Sequence, residues 1–362
     1  MVINNLRDFE TSVNKKWEHI EAALNLTETY KEEIRNRIGS GLESVPLTSS
    51  ETQLVLFGSL ARKECTKGSD VDWTLLIDGQ TKATHSTIAS AIKHVLEDKE
   101  RAEKSGITLA EPGTTGMFGQ MTFSSDLIHY IGGQDDTNHN LSRRSLLLLE
   151  STVLENAAGT VYERVVRGII DQYIDNDSGF AGVSGKDDNI PRFLLNDVIR
   201  FWRTMCVDFA YKQKEQQGKK WAIRNIKLRM SRKLIFLKGL LLCFQNFKEI
   251  IEPTELKSKI KTDVYNGVLE SPLDFITKTL KKTGIPDAYL VELLDAYNNF
   301  LGFLNDESFR DHLTKLESER AYQDKDFLIA RKNSHDFQDA IRKIFIEHES
   351  KLKEFTLKYG VL

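Results

Sequence analysis

Apolar residues recur at helical spacing in two long regions of the chain, and strand-like runs occur between these regions. Residues 5–41 and the chain from residue 146 onward have the spacing of amphipathic helices. Between them, Thr52–Phe57 (TQLVLF) and Asp70–Ile77 (DVDWTLLI) are short apolar runs typical of paired strands. This order predicts an α+β fold with a small sheet followed by an all-helical region.

Two further elements complete the predicted sheet layer. Residues 85–106 (HSTIASAIKHVLEDKERAEKSG) are typical of an amphipathic helix, and residues 107–111 (ITLAE) of a short strand before a glycine-rich turn. We therefore predict two domains. Residues 1–145 would hold the sheet and an N-terminal helix, and residues 146–362 would form a helical domain.

The composition of the 362-residue chain is that of an ordinary globular protein, with 40% hydrophobic and 28% charged residues. Because 50 basic residues face 53 acidic ones, any phosphate or nucleic-acid site has to be a local patch. Three isolated cysteines predict a reducing compartment, and no apolar run approaches the length of about 20 residues that a membrane span requires. A cytoplasmic location is predicted, without a membrane partner.

The stretch FGSLARKECTKGSDVDWTLLIDG, residues 57–79, concentrates the candidate chemistry. Asp70 and Asp72 are separated by one residue, so an extended backbone directs both carboxylates to one side. Adjacent carboxylates of this kind are typical ligands of a divalent cation such as Mg²⁺ or Mn²⁺, which offsets their repulsion. The alternative is structural, because the sequence at residues 68–70 is also typical of a turn and a helix N-cap.

The Gly58-Ser59 pair before the two aspartates has a matching use. A glycine lets the backbone approach a phosphate closely, and the Ser59 hydroxyl with nearby N–H groups can donate to phosphate oxygens. We expect a short helix at residues 60–64 and a return strand, which would bring the phosphates between the turn and the metal.

The Gly-Ser pair, a spacer and the Asp-x-Asp pattern resemble the signature of the DNA polymerase β-like nucleotidyltransferase superfamily over residues 54–77. The form GSLARKECTKGSDVDWTLLI looks most like the bacterial branch that includes the PII uridylyltransferase and glutamine synthetase adenylyltransferase domains. The resemblance implies two-metal transfer of a nucleotidyl group from an NTP, with the helical domain closing over the NTP cleft. It implies Asp70 and Asp72 as metal ligands and Gly58 and Ser59 as phosphate-holding residues.

The superfamily generally has a third carboxylate on a neighbouring strand, and two residues are candidates for it. Glu111 ends the predicted strand ITLAE before a proline, so it is the preferred metal ligand and catalytic carboxylate. Asp126 follows two serines and is more typical of the first turn of a helix, where an acidic side chain stabilises the dipole without a catalytic role.

The strongly basic stretch at residues 219–239 is predicted to be helical. Lys227 and Ser231 are four residues apart on one helix face, and Arg224 is on the adjacent turn. The resemblance implies that these three residues hold the β- and γ-phosphates of the NTP. The alternative is a solvated basic face beside an apolar stripe, whose members are Ile226, Met230, Leu234 and Leu237.

The expected reaction is in-line attack of a hydroxyl on the α-phosphorus of an NTP or dNTP, without a template. A transferase of this size resembles enzymes that make nucleotide or oligonucleotide second messengers, often in bacterial antiviral defence. The rival hypotheses are a toxin-like transfer of AMP or UMP to a protein or RNA acceptor, and a catalytically silent nucleotide-binding module. The predicted partners are the nucleotide and an effector or acceptor protein or RNA. The sequence makes no prediction of oligomeric state.

Overall fold

A computed structural model describes residues 5–41, 50–98, 100, 103, 107, 117–177, 189–215, 218–246 and 253–360. The strands found in this part of the chain are β1 Thr52–Phe57, β2 Trp73–Ile77, β3 Gln120–Phe123 and β4 Ser151–Thr152. The α-helices are α1 Asn5–Ser12, α2 Glu18–Gly41, α3 Gly58–Arg62, α4 Ala83–Leu96, α5 Ser124–Ile128, α6 Asn138–Leu149, α7 Val161–Asp175, α8 Arg192–Glu215, α9 Trp221–Lys227, α10 Lys233–Phe244, α11 Pro253–Leu269, α12 Pro272–Thr283, α13 Asp287–Asn305, α14 Glu307–Lys315, α15 Ser318–Ala321, α16 Lys325–Arg342 and α17 Lys351–Phe355. Three π-helical turns lie at Leu228–Arg232, Lys343–Glu347 and Thr356–Gly360.

The four strands form one mixed sheet in the order β3-β2-β1-β4. Strand β1 is antiparallel to β2 and to β4, whereas β3 is parallel to β2. The α+β fold class and the first predicted strand are therefore confirmed. The second strand is shorter than predicted and begins at Trp73, so Asp70 and Asp72 precede it. Because β1 ends at Phe57, the pairing of β1 with β2 ends at Leu56 and Trp73, and Phe57 lies beside Asp72.

The sheet has helices on both faces. One face packs against α2 and α4, and the apolar core between them includes Tyr30, Ile34, Ile38, Leu54, Leu56, Trp73, Leu75, Ile77, Ile92 and Val95. The other face packs against α7, which in turn contacts α5 and α6. Helix α4 covers the first half of the helix predicted at 85–106 and ends at Leu96. Glu100 and Glu103 are also helical, and the other residues of 99–106 lie outside the described ones. The predicted strand at 107–111 lies outside the described residues except for Ile107.

Contacts divide the chain into two compact units, which we describe separately. The sheet unit comprises residues 23–176 and 261–271, and the helical unit comprises residues 1–22, 177–260 and 272–362. The predicted domain boundary between residues 145 and 146 does not coincide with a boundary of these two units. It refers to functional domains and stays a prediction.

The helical unit is built around α10, α13 and α16. Helix α13 packs against α16, and α10 packs against α8 and α12. The predicted apolar stripe of the basic segment is confirmed as core, since all four of its members are buried: Ile226, Met230, Leu234 and Leu237. None of the described helices is both long enough and apolar enough to span a membrane.

Candidate active site

The end of β1 brings Gly58 against the carboxylate of Asp72. The Phe57 N–H donates to the Asp72 carbonyl oxygen at 2.8 Å, which holds the backbone around Asp72 beside the end of β1. Gly58 then adopts a φ of +67°, a conformation that costs side-chain-bearing residues about 1–2 kcal/mol. A Cβ atom at this position would lie 2.9 Å from Asp72 Oδ2. The glycine therefore provides space for a carboxylate as well as a backbone turn.

Ser59 follows at the start of α3 and is half-buried. The Cys65 thiol lies 3.7 Å from Ser59 Oγ, and the Cys65 N–H donates to Thr27 Oγ1 at 3.0 Å. Burial raises the pKa of Cys65, so the thiol is protonated at neutral pH and can donate to the serine hydroxyl. This contact fixes the loop that follows α3 beside Ser59.

A tight turn leads from α3 to the two aspartates. The Ser69 N–H donates to the Thr66 carbonyl at 3.0 Å, and the Thr66 N–H donates to Ser69 Oγ at 3.0 Å. The turn delivers Asp70 to an exposed position and Asp72 to a half-buried one, while Val71 between them is buried. Val71 thus anchors the segment, and the carboxylates stay accessible on its flanks.

Buried ion pairs also stabilise the loop between α3 and Asp70. Arg62 is buried at the end of α3, where its Nε donates to Glu64 Oε2 at 2.8 Å. Its terminal nitrogen also pairs with the buried carboxylate of Glu150, which directly precedes β4. Because all three groups are buried and paired, they tie the loop before Asp70 to the edge of the sheet.

The third carboxylate is not found among the described residues near this pair. Glu111, the preferred candidate, lies outside the described residues. Asp126 is in the first turn of α5, as the sequence indicates, and its charge acts on Arg143. Strand β3 (QMTF), the parallel neighbour of β2, has no acidic residue, and its Gln120 lies opposite Thr74. Within the described ranges no group of three acidic, histidine or cysteine side chains could hold a metal.

A small cleft that was not predicted from the sequence lies at the end of β1. It includes Phe57, whose N–H donates to the Asp72 carbonyl oxygen. Phe57 and Phe118 pack in it with their ring centroids 5.2 Å apart. The remaining lining residues are Thr74, Leu76, Met117, Thr122, Leu127, Arg143, Leu146 and Leu147.

Arg143 is the charged residue among those that line this cleft, and the sequence analysis did not identify it. Its Nε is buried, and no described group accepts a hydrogen bond from it. Burial lowers the pKa of Arg143, while the Asp126 carboxylate opposes that shift. The only sequence signal was the Arg-Arg pair of LSRRS on α6, and helical periodicity does not tell which of two neighbouring arginines faces a cleft.

The three phosphate-binding candidates from the basic segment lie in the helical unit. Arg224 in α9 is half-buried, Lys227 at the end of α9 is exposed, and Ser231 in the following π turn is buried. The structure brings Gly58, Ser59 and the two aspartates together in the sheet unit. The joint role of the two sets stays a prediction.

A strand, a glycine-serine turn, a short helix and a return segment with two accessible aspartates are the arrangement of a nucleotidyltransferase core. Residues 42–109 match the family model described as nucleotidyltransferase domain. This segment is a nucleotidyltransferase domain of the DNA polymerase β-like superfamily, which confirms the resemblance at that level. No curated protein matches the chain.

The matched segment contains Gly58, Ser59, Asp70 and Asp72 and ends before residue 111. A domain of this class supports nucleotidyl transfer as the general activity and implies a nucleotide substrate.

Proposed function

We propose that this protein is a template-independent, metal-dependent nucleotidyltransferase that moves a nucleotidyl group from an NTP or dNTP to a hydroxyl. The observation that carries the proposal is the contact between Gly58 and Asp72. A left-handed glycine whose missing Cβ would lie 2.9 Å from a carboxylate oxygen keeps that carboxylate beside the phosphate-binding turn.

The donor set suits a hard divalent cation. Asp70 and Asp72 provide accessible carboxylate oxygens, and Mg²⁺ or Mn²⁺ commonly binds through one or two carboxylates together with substrate phosphates. Glu111 is the proposed third ligand. A bound pair of metal ions would lower the pKa of the acceptor hydroxyl and neutralise charge on the phosphates.

The protein's own residues then bind and orient the triphosphate. Gly58 lets the chain approach the phosphates, and the Ser59 hydroxyl donates to a phosphate oxygen. Arg224, Lys227 and Ser231 are proposed to hold the β- and γ-phosphates and to stabilise the leaving pyrophosphate. Precise orientation of the two reactants supplies most of the catalysis in phosphoryl transfer.

The proposed reaction is a single displacement at the α-phosphorus. A bond forms between the acceptor oxygen and the α-phosphorus, and the bond from that phosphorus to the bridging oxygen of pyrophosphate breaks. The acceptor hydroxyl loses its proton, and pyrophosphate leaves with the bonding electron pair.

The acceptor is proposed to be a second nucleotide, so that the product is a nucleotide or oligonucleotide second messenger in bacterial defence. The near balance of 50 basic and 53 acidic residues supports a small acceptor over a long nucleic acid. Transfer of AMP or UMP to a protein or RNA acceptor, as in toxin-like enzymes, is the alternative.

One observation favours a different class, a catalytically silent nucleotide-binding module. The described residues contain no group of three acidic, histidine or cysteine side chains that could hold a metal, and strand β3 (QMTF) has no acidic residue. Such a module would bind a nucleotide without releasing pyrophosphate.

The experiment is incubation of the purified protein with Mg²⁺ or Mn²⁺ and each labelled NTP and dNTP, alone and with cell extract. The control proteins are Asp70→Ala, Asp72→Ala and Glu155→Ala, the last removing an exposed carboxylate of the same unit. A small labelled product that needs both aspartates and survives the Glu155 substitution supports messenger synthesis. Label on protein or RNA supports the alternative enzyme, and nucleotide binding without pyrophosphate release supports the silent module.

A further inference from the structure

A group of four cationic or titratable side chains meets inside the helical unit. Arg229 belongs to the Leu228–Arg232 π turn, Lys233 begins α10, and Arg331 and His335 are one turn apart on α16. The π turn packs against α8 and α16, which brings these side chains together. We refer to Arg229, Lys233, Arg331 and His335 as the cationic cluster.

The hydrogen-bond partners of the first two cations are neutral amides. Arg229 Nε donates to Asn225 Oδ1 at 2.9 Å, and Lys233 Nζ donates to Gln338 Oε1. Both cations are half-buried. No carboxylate in the described parts of the chain forms an ion pair with either side chain.

Arg331 is held by an aromatic ring rather than by an acid. Its guanidinium carbon lies 5.4 Å from the centroid of the Tyr322 ring, which is a cation–π contact. Its Nε is buried and donates to no group within the described residues. A buried donor of this kind normally has a partner, so this orphaned N–H indicates a missing acceptor.

The cations act on one another electrostatically. Burial lowers the pKa of Lys233 to about 8, with Arg229 adding to the shift and Cys206 on α8 opposing it. The pKa of His335 is lowered by burial and by the three other members of the cluster, while Asp339 opposes the shift. The exposed Asp339 opposes the positive charges of Arg229, Lys233 and Arg331 only in part, and a bound anion would reduce their repulsion further.

We propose that the cationic cluster is a binding site for a small phosphate-bearing anion, separate from the residues assigned to the NTP. Residues two positions apart on a helix differ by about 200° in direction. Arg229 and Lys227 therefore point in different directions: Lys227 is exposed, whereas Arg229 is half-buried, donates to Asn225 and acts on His335 of α16. A phosphate group has the oxygen acceptors that the guanidinium and ammonium donors need.

A small anion fits the cluster better than a nucleic-acid backbone. Three of the four side chains are half-buried, and only His335 is exposed, so the charges do not form an open track. The exposed carboxylates of Asp336 and Asp339 on α16 flank the site. They would repel an extended polyanion but leave room for a compact one.

The test is calorimetric titration of the full chain with inorganic pyrophosphate in EDTA, which removes metal-dependent binding at Asp70 and Asp72. We expect saturable binding that Arg229→Gln and Lys233→Gln each weaken at least about tenfold. Lys332→Gln is the matched control, because Lys332 is an exposed cation of α16 paired with Asp336. Lys332→Gln and the charge-preserving Lys233→Arg should both keep the affinity.

Three results would overturn the proposal. They are absence of saturable pyrophosphate binding, an affinity that neither cluster variant changes, and loss of binding in Lys227→Gln alone. A parallel titration with a 20-nucleotide single-stranded RNA tests the other source of phosphate. RNA binding that needs the cluster, without pyrophosphate binding, would also overturn it. Because the readout is binding without metal, the result does not depend on the transferase activity.

Discussion

Arg144 of the sheet unit and Lys233 of the helical unit are cations withdrawn from solvent, but their partners differ. Arg144 is fully buried, and its two terminal nitrogens donate to the Asp136 carboxylate at 3.1 and 3.0 Å. Its Nε donates to the Tyr173 hydroxyl at 2.7 Å. Lys233 donates to the amide oxygen of Gln338 and has Arg229 as its charged neighbour.

The difference separates charges that hold the fold from charges that serve a ligand. A bidentate pair such as Arg144 and Asp136 is neutral as a unit and satisfies its donors within the protein. The cationic cluster keeps a net positive charge and an orphaned N–H on Arg331. Asp70 and Asp72 are a third case, because we propose that these two carboxylates bind a metal ion beside Gly58 and Ser59. We expect substitutions in the Arg144–Asp136 pair to lower mainly the stability of the fold. Substitutions of Asp70 or Asp72 should lower mainly the activity, and those in the cationic cluster should lower mainly anion binding.

The largest effect is expected for Asp72→Asn, which removes a proposed metal ligand. Nucleotidyl transfer should fall by about 10³-fold, because a metal ion supplies several kcal/mol of charge stabilisation in the transition state. The measurement is the initial rate of pyrophosphate release, with urea denaturation as the stability readout. An unchanged rate would remove Asp72 from the catalytic set.

Asp136→Ala should have the opposite profile. Leaving Arg144 buried without its carboxylate is expected to cost about 3–5 kcal/mol of unfolding free energy, measured by urea denaturation. The double variant Arg144→Met/Asp136→Leu should recover most of this loss, since a buried pair and a packed apolar pair are often similar in energy. If Asp136→Ala costs no more than a surface substitution, the pair is not what holds α6 in place.

Gly58→Ala should come next in size and should affect both properties. The φ of +67° alone costs about 1–2 kcal/mol for alanine, and the added Cβ would press on Asp72 Oδ2. Gly132→Ala is the matched control, because Gly132 has a φ of +74° and open space where the Cβ would lie. Urea denaturation of both variants separates the cost of the positive φ from the cost of the contact between the Cβ atom and Asp72. Equal losses of unfolding free energy in the two variants would mean that the contact with Asp72 adds nothing.

Lys233→Met should have the smallest effect and the opposite sign. Without a bound anion, the variant should be more stable at pH 7 by about 0.5 kcal/mol, because it removes a like-charge neighbour of Arg229. Burial lowers the pKa of Lys233 to about 8 from an ordinary 10.5, so the unfolded chain binds more protons between these values.

The stability of the wild type should therefore rise relative to the variant as the pH increases from about 8 to 10.5. Thermal unfolding of both proteins across this range measures the difference. A gap that stays constant with pH would show that Lys233 has an ordinary affinity for its proton.

The pattern of apolar and polar residues predicted the strands and helices well where an apolar residue type simply reflects burial. TQLVLF alternates onto two covered faces and forms β1, and the apolar stripe through Met230 is core. The pattern failed at the start of β2, which begins three residues later than predicted. Apolar runs do not record where the partner strand ends, and that end decides where pairing stops.

The same distinction applies to the candidate sites. The spacing of Gly58, Ser59, Asp70 and Asp72 was visible because these residues are close in the chain. Arg143, Asp136 with Arg144, and the cationic cluster were not assigned from the sequence. Arg229 and Arg331 are about a hundred residues apart, and helical periodicity gives each a face without naming its partner.

The sequence by itself thus determined the class of the domain, the Gly58-Ser59 turn and the pair of aspartates, because short-range spacing encodes these features directly. Only the tertiary structure decided that Gly58 makes room for Asp72 and which buried charges form pairs within the protein. The reason is physical: burial follows from local periodicity, whereas the choice of a charge partner depends on which distant elements the packing brings together.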